Sequence, residues 1–462
     1  MFKPSVYALR RKELIKNLSS GLVLMPGNED APMNYKANTY YFRQDSSFLY
    51  FFGLDQQGLA GLIDIDENRS HLFGDDAELD DIIWMGQRPS IRSLGERSGI
   101  DQSHPYRELE RLLKQASGKG RKIHYLPPYR TERILLIEKL LGIPHSRVEK
   151  EASPELVREV INLRSVKSAE EVAEIEKAVN IAWDMHTTAM IMARPGVYER
   201  EIAGRIEGIS LSNGNPVSFP VILSIEGQTL HNHYHGNKLE KNRILVTDAG
   251  SQTDMHYASD ITRSVPVGGK FLPDQKDIYK IVLSALQESV NTIRPGIPYR
   301  DVHLQAATTI CRGLKDIGLM RGEVEEAVEN GAHALFFPHG LGHMLGLDAH
   351  DMEDLGEDHV GYDQEIERSG QFGLSFLRLG RRLQKGFALT SEPGIYFIPA
   401  LIDKWRSEKK FTRFINYDRL ELFRNFGGIR IEDDILVTDT GCRVLGKPIP
   451  KTVAEIEDIM TS

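Results

Sequence analysis

The sequence predicts an α+β chain: a smaller block of alternating strands and helices, then a larger block of long helices followed by antiparallel hairpins. Three observations lead there. A chain of 462 residues exceeds one ordinary core. The first 150 or so residues switch repeatedly between strand-like and helical patterns. Further on, long amphipathic runs give way to β-forming runs bounded by Gly, Pro and Asp.

In the first block, "SGLVLMPG" and "LAGLIDIDENRSHLFGDD" read as strands ending at turns, and "ELERLLKQASGKG" as a helix closed by glycine. Gly118 and Gly120 follow a helical pattern rather than a strand, which argues against a dinucleotide-binding turn. The polar, charge-rich run "HSRVEKEASPELVREVINLRSVK" marks a boundary near residues 150 to 166. Ser168 and Glu171 then fit a capping box. Val172, Ile175, Ala178, Val179 and Ala182 keep helical spacing behind it. "RPGVYEREI" at 194 to 202 and "RPGIPYRDV" at 294 to 302 each follow one amphipathic helix and lead into another. The recurrence suggests a duplicated half-domain; the alternative is coincidence, because Arg-Pro-Gly is ordinary turn chemistry. "NRILVTDAG", "YASDITRSVPVGG", "KGFALTSEPGIYF" and "GGIRIEDDILVTDTG" supply the expected antiparallel strands.

Composition excludes several classes. The net charge of −9, from 57 basic and 66 acidic residues, leaves no basic excess for nucleic acid or an acidic membrane surface. "MFKPSVYALRRKELIKNL" lacks the apolar core of a signal peptide, and no run of eighteen apolar residues suits a membrane span. Cys311 and Cys442 cannot make a disulfide framework and read as buried free thiols, so a cytoplasmic location is expected.

The strands carry carboxylates where a sheet normally buries apolar side chains: Asp248 ends "ILVTD", Asp260 opens "DITRSV", Glu392 ends "FALTSE" and Glu432 sits in "GIRIEDD". A buried carboxylate is costly unless something compensates it. Any one of these reads equally well as a strand end reaching water. Four of them, together with the histidine-rich "HGLGHMLGLDAHD" at 339 to 351, do not. Four carboxylates and one imidazole suit two divalent cations, manganese first, with zinc or cobalt admitted by the imidazole. Two such ions can acidify a shared water and polarise a carbonyl. Arg430 lies two residues before Glu432, on the same strand face, where a guanidinium could orient a ligand carboxylate.

"HGLGHMLGLDAHD", with "DAG", "SDITR", "TSEPGIYF" and "GGIRIEDD", closely resembles the proline-specific metallopeptidases of pita-bread fold. These are the Xaa-Pro aminopeptidases (aminopeptidase P) and the Xaa-Pro dipeptidases (prolidases). "YYFRQDSSFLYFFGLD" resembles the start of their accessory domain, and "LRSVKSAEEV" the entry to their catalytic domain. The resemblance implies an accessory domain over residues 1–160 and a pita-bread catalytic domain over 161–462.

It also implies Asp248, Asp260, His343, Glu392 and Glu432 as metal ligands. Asp260 and Glu432 would bridge the ions, Asp248 would hold one, and His343 with Glu392 would complete the other. Glu392 would also move the proton of the attacking water. His350 would donate to the scissile carbonyl. His339 would be a further cleft residue, with a packed histidine as the alternative. His231 would face the substrate, with His233 and His235 close enough to be confused with it. Arg378 would sit near the substrate carboxylate, beside Arg381 and Arg382, and Arg430 would contact substrate as well as join His231 and His339 in the catalytic group.

The activity implied is metal-dependent hydrolysis of the N-terminal Xaa-Pro bond of short peptides by a homodimer or homotetramer. The alternative is a metal-free or non-catalytic homologue that binds peptides. The stretch between Glu392 and Glu432 and "WMG" at 84 to 86 look more like prolidases, whereas bacterial-type chains often act as aminopeptidases. Two departures stand out. Asp248 and Asp260 are twelve residues apart where eleven is usual, so an extra residue is expected in the tip "SQTDMHY", with Asp254 and His256 solvated. Ala349 replaces a β-branched residue.

Overall fold

The computed structural model describes residues 1–461. The chain divides into two compact units, Met1–Arg164 with Met352–His359, and Ser165–Asp351 with the chain from Val360 onward.

The first unit is built on a five-stranded sheet in the spatial order Gln102–His104, Arg69–Phe73, Ala60–Asp64, Leu22–Pro26, Ile123–His124. The central pairs are antiparallel and the two edges parallel. Every residue of Leu22–Pro26 and Ala60–Asp64 is buried, as in a sheet covered on both faces. The helix Glu108–Gly118 lays Leu109, Leu113 and Ala116 on this core, beside Leu24, Leu62 and Phe73. Asp45 caps the helix Ser46–Phe52 by accepting from the Phe48 amide, and its other oxygen meets buried Arg133 at 2.6 Å. Burial alone would raise the Asp45 carboxyl, but Arg133 and the Phe48 amide hold it below its usual range. Its contribution to stability is therefore complete above the unfolded value of about 4 and lost as pH falls through the lower folded one. Asp45→Ala is expected to cost roughly 3–5 kcal/mol in denaturant unfolding at neutral pH, because Arg133 is left buried and unpaired.

In the second unit, helices Ala169–Met192 and Glu199–Ser212 form one pair, Pro273–Thr292 and Tyr299–Asp316 another. The two Arg-Pro-Gly turns join the members of each pair, with Gly196 at φ 95° and Gly296 at φ 86°. Such values favour glycine. The Ser168–Glu171 capping box forms as read. The strands make a sheet ordered Thr262–Pro266, Ile244–Asp248, Ile222–Ser224, a second ordered Ala388–Ser391, Asp433–Val437, Cys442–Val444, and the pair Gly394–Tyr396 with Gly428–Arg430. All these pairings are antiparallel. Among the described residues, no helix is long and apolar enough to cross a membrane.

The boundary run proves helical, and two features differ from the sequence expectation. The charge-rich run at the boundary contains the helix Pro154–Ser165, which buries Leu156, Val160 and Ile161 on one stripe. Of the two thiols, Cys311 is buried but Cys442 is only half-buried. His256 is not solvated: it is 2% exposed, with its ring against the Gln252 side chain at 3.0 Å. The tip between Asp248 and Asp260 folds back on itself through a Gln252–Ala258 bridge and a hydrogen bond from the Thr253 amide to Tyr257, which carries His256 inward. Of the two residues expected in water there, only Asp254 is exposed.

Candidate metal centre

A cleft of about 730 Å³ opens in the second unit, and all five implied metal ligands line it. Each is placed by backbone pairing. Asp248 ends its strand opposite Thr262, which brings Asp260, just past the hairpin tip, back beside it. The histidine loop is zipped onto the strand that leads to Glu392. The Thr390 amide donates to the His343 carbonyl (3.0 Å), Leu345 to Ala388 (2.9 Å), and Glu392 to Leu341 (2.8 Å). Gly342 lies flat against that strand, where a Cβ would stand 2.1 Å from the Thr390 carbonyl oxygen. Gly342→Ala is therefore expected to cost roughly 1–3 kcal/mol and to displace His343, seen as lower Tm and weaker cation binding. Glu432 follows the strand Gly428–Arg430; its amide donates to the Thr262 carbonyl (3.1 Å) and its carboxylate accepts from the Thr262 hydroxyl (2.7 Å).

Ligand atoms of Asp248, Asp260 and Glu432 lie within 4.8 Å of one another, as do those of His343, Glu392 and Glu432, so Glu432 belongs to both sets. His343 Nε2 is 3.4 Å from Asp260 and 3.6 Å from Glu392. Its Nδ1 faces the Met344 carbonyl at 3.1 Å, and a proton held there turns the Nε2 lone pair toward the carboxylates. Burial, then Asp248, Asp434 and Glu392, push the Asp260 carboxyl well above its usual range. Burial, then Asp260, Glu392 and Asp248, do the same to Glu432. Asp248 Oδ1 is buried without a hydrogen-bond partner. Such a cluster fits divalent cations. The five carboxylates that line the cleft, Asp348 included, against the guanidiniums of Arg378 and Arg430 sum formally to −3, so two divalent cations would leave one positive charge for an anionic ligand.

Residues 173–439 match the family profile of metallopeptidase family M24, and residues 7–124 that of the aminopeptidase P N-terminal domain. The chain belongs to metallopeptidase family M24. Among its relatives, an Xaa-Pro dipeptidase of Rattus norvegicus is 31% identical over 99% of this chain and 93% of its own length. A probable Xaa-Pro aminopeptidase of Aspergillus clavatus is 32% identical over 90% of this chain and 88% of its own. Escherichia coli aminopeptidase P with the inhibitor Pro-Leu superposes with a TM-score of 0.82 at 28% identity, covering 100% of this chain and 98% of that one. This is the aminopeptidase P-like architecture expected of an N-terminal domain followed by an M24 domain.

Around the ligands of this M24 chain, the other implied residues fall into two groups. His231, His339, His350, Arg378 and Arg430 line the cleft. The His350 ring stands 4.2 Å from that of His343, tilted by 56°. His233 also lines the cleft, whereas His235 turns its Nε2 to the Val221 carbonyl (3.1 Å). Arg381 is buried against Ser165 and Arg382 pairs with Glu365 outside, so Arg378 is the member of its trio in the cleft. Ala349 lines it too.

Arg430 departs from its expected part. Its guanidinium donates to Asp248, to the Tyr396 hydroxyl (2.9 Å) and to the Thr262 hydroxyl (3.0 Å), so it braces a ligand rather than standing open to substrate. His339 joins the same network. Its Nδ1 faces the Gly340 carbonyl at 2.7 Å and its Nε2 the Tyr396 hydroxyl at 2.9 Å. Burial, aided by Arg430, lowers its pKa to about 3, so it is neutral. Tyr396 and Thr262 are the residues the sequence reading missed. The sequence signal for Tyr396 was the glycines facing it in the strand pair: a Cβ on Gly394 would lie 2.5 Å from its hydroxyl oxygen, and one on Gly428 equally close to its ring.

Proposed function

We propose that the chain is a dinuclear metallo-exopeptidase that hydrolyses the N-terminal Xaa-Pro bond of short peptides. The observation that carries this reading is the convergence of Asp248, Asp260, His343, Glu392 and Glu432 in one cleft, Glu432 belonging to both ligand sets. Asp248, Asp260, His343, Glu392 and Glu432 would hold the two ions, with Asp260 and Glu432 shared between them. Two divalent cations, manganese before zinc or cobalt, supply when bound an acidified water and a pull on the scissile carbonyl.

An Xaa-Pro bond has no N–H, and its ring restricts the residue before it. A peptidase that grips its substrate through that hydrogen bond loses it here. This cleft offers imidazoles and a guanidinium instead. Glu392 takes the proton of the attacking water and returns it to the leaving proline nitrogen. His350 donates to the carbonyl oxygen as charge builds there. His231 and Arg378 bind the substrate, Arg378 at its carboxylate. Neutral His339 and the Arg430–Tyr396 pair hold the wall behind Asp248. A cytoplasmic homodimer or homotetramer, with the N-terminal unit as accessory domain and the second unit as catalytic domain, completes the reading.

The test is reconstitution of chelated protein with manganese, zinc or cobalt, followed by assay on Xaa-Pro, Xaa-Pro-Yaa and Xaa-Ala peptides. Hydrolysis before proline only after loading, with Xaa-Ala left intact, is the expected result. Cleavage of the tripeptide makes the enzyme an aminopeptidase; cleavage of the dipeptide alone makes it a dipeptidase. Failure to bind any cation stoichiometrically would overturn the reading.

A further inference from the structure

Lys167 stands immediately before the capped helix Ala169–Met192, and its backbone and side chain hold two different parts of the metal centre. Its amide donates to the Gly386 carbonyl at 2.8 Å, and the neighbouring Val166 bridges Phe387. That segment runs directly into the strand Ala388–Ser391 and on to Glu392. The side chain goes the other way: Nζ meets Asp351 Oδ2 at 2.7 Å, with both side chains 1% exposed. Asp351 follows His350 in the chain.

The loop between the two histidines closes on this ion pair. The Asp351 amide donates to the Met344 carbonyl (2.9 Å), Gly346 donates to Asp348 (3.0 Å), and Ala258 donates to Gly346 (2.8 Å). Gly346 rests on the pair itself. A Cβ there would lie 2.4 Å from Asp351 Oδ2 and 2.9 Å from Lys167 Nζ. A side chain at that position would have to displace the ion pair, so the loop packs directly on it. His350, one residue away, has its ring 4.2 Å from that of His343.

We infer that Lys167 is a positioning residue for the reaction: its buried ion pair with Asp351 sets His350 against the carbonyl-binding side of the cleft, while its amide registers the Glu392 strand. The inference rests on the part given to His350 above. It differs from simple structural support in what it predicts. His343 is held separately, by its own pairing with Thr390, so loss of the ion pair should move His350 and leave the ligand in place.

The experiment compares full-length wild type with Lys167→Met, and with Lys167→Met/Asp351→Asn, which leaves no unpaired buried charge should the single variant fail to fold. The expected result is two manganese ions per chain retained, KM for an Xaa-Pro dipeptide within twofold of wild type, and kcat lowered at least tenfold. The crystal structure of the variant should show the His343–His350 ring separation changed from 4.2 Å. That readout is independent of activity, so it separates failure of this inference from failure of the proposed activity. An unchanged ring separation, a kcat within twofold of wild type, or loss of the metal ions along with activity would overturn it.

Discussion

Asp260→Asn is expected to lower kcat/KM by at least about 10³-fold and to abolish stoichiometric loading of the second cation. The size follows from the several kcal/mol of charge stabilisation that a metal pair contributes, at 1.36 kcal/mol for each factor of ten. The same substitution should make the chelated protein more stable than chelated wild type. Asp260 is buried among Asp248, Asp434 and Glu392, which with burial itself disfavour its charged form, and an amide of the same shape removes that repulsion. Metal titration, turnover and thermal unfolding in excess chelator measure the three effects. A variant that melts lower than chelated wild type would show that the acidic cluster is not strained without cations. A site built for function gives up stability elsewhere in the cycle, and here the trade should be visible in one residue.

His350→Ala should lower kcat by about 10²–10³-fold, the usual cost of deleting one donor to a developing oxyanion, with both cations retained. Geometry makes this a sharp test. Ligand atoms of Asp260, His343 and His350 also lie within 4.8 Å of one another, so His350 is close enough to be a ligand itself. Elemental analysis decides: loss of a cation together with activity would move His350 into the ligand set.

Much of this site was legible in the chain before any coordinates. The four carboxylates each sit in or beside a strand motif whose residue types conflict with burial in a plain sheet, so the conflict itself pointed to them, whereas His343 was singled out among the histidines of its loop by the family resemblance. The helices on either side of the Arg-Pro-Gly turns were legible because periodicity and turn chemistry agree there. What stayed hidden depends on pairing between distant segments. Tyr396 looks like an ordinary strand aromatic until Gly394 is set opposite Arg430. Arg430 reads as open to substrate until Asp248, far away in sequence, is placed beside it. His256 reads as solvated because a polar tip does not reveal that it folds back. Nothing local announces that Met352–His359 groups with the first unit, since such a grouping is a property of the finished fold.

The five proposed ligand positions are scattered from Asp248 to Glu432, and no hairpin or loop holds more than a fraction of them. A chain that ends at the histidine loop therefore lacks Glu392 and Glu432 of that set. Once cations are bound, they favour only the fully assembled state by mass action. On the proposed ligand set, peptidase activity is therefore expected only in a chain that extends past Glu432.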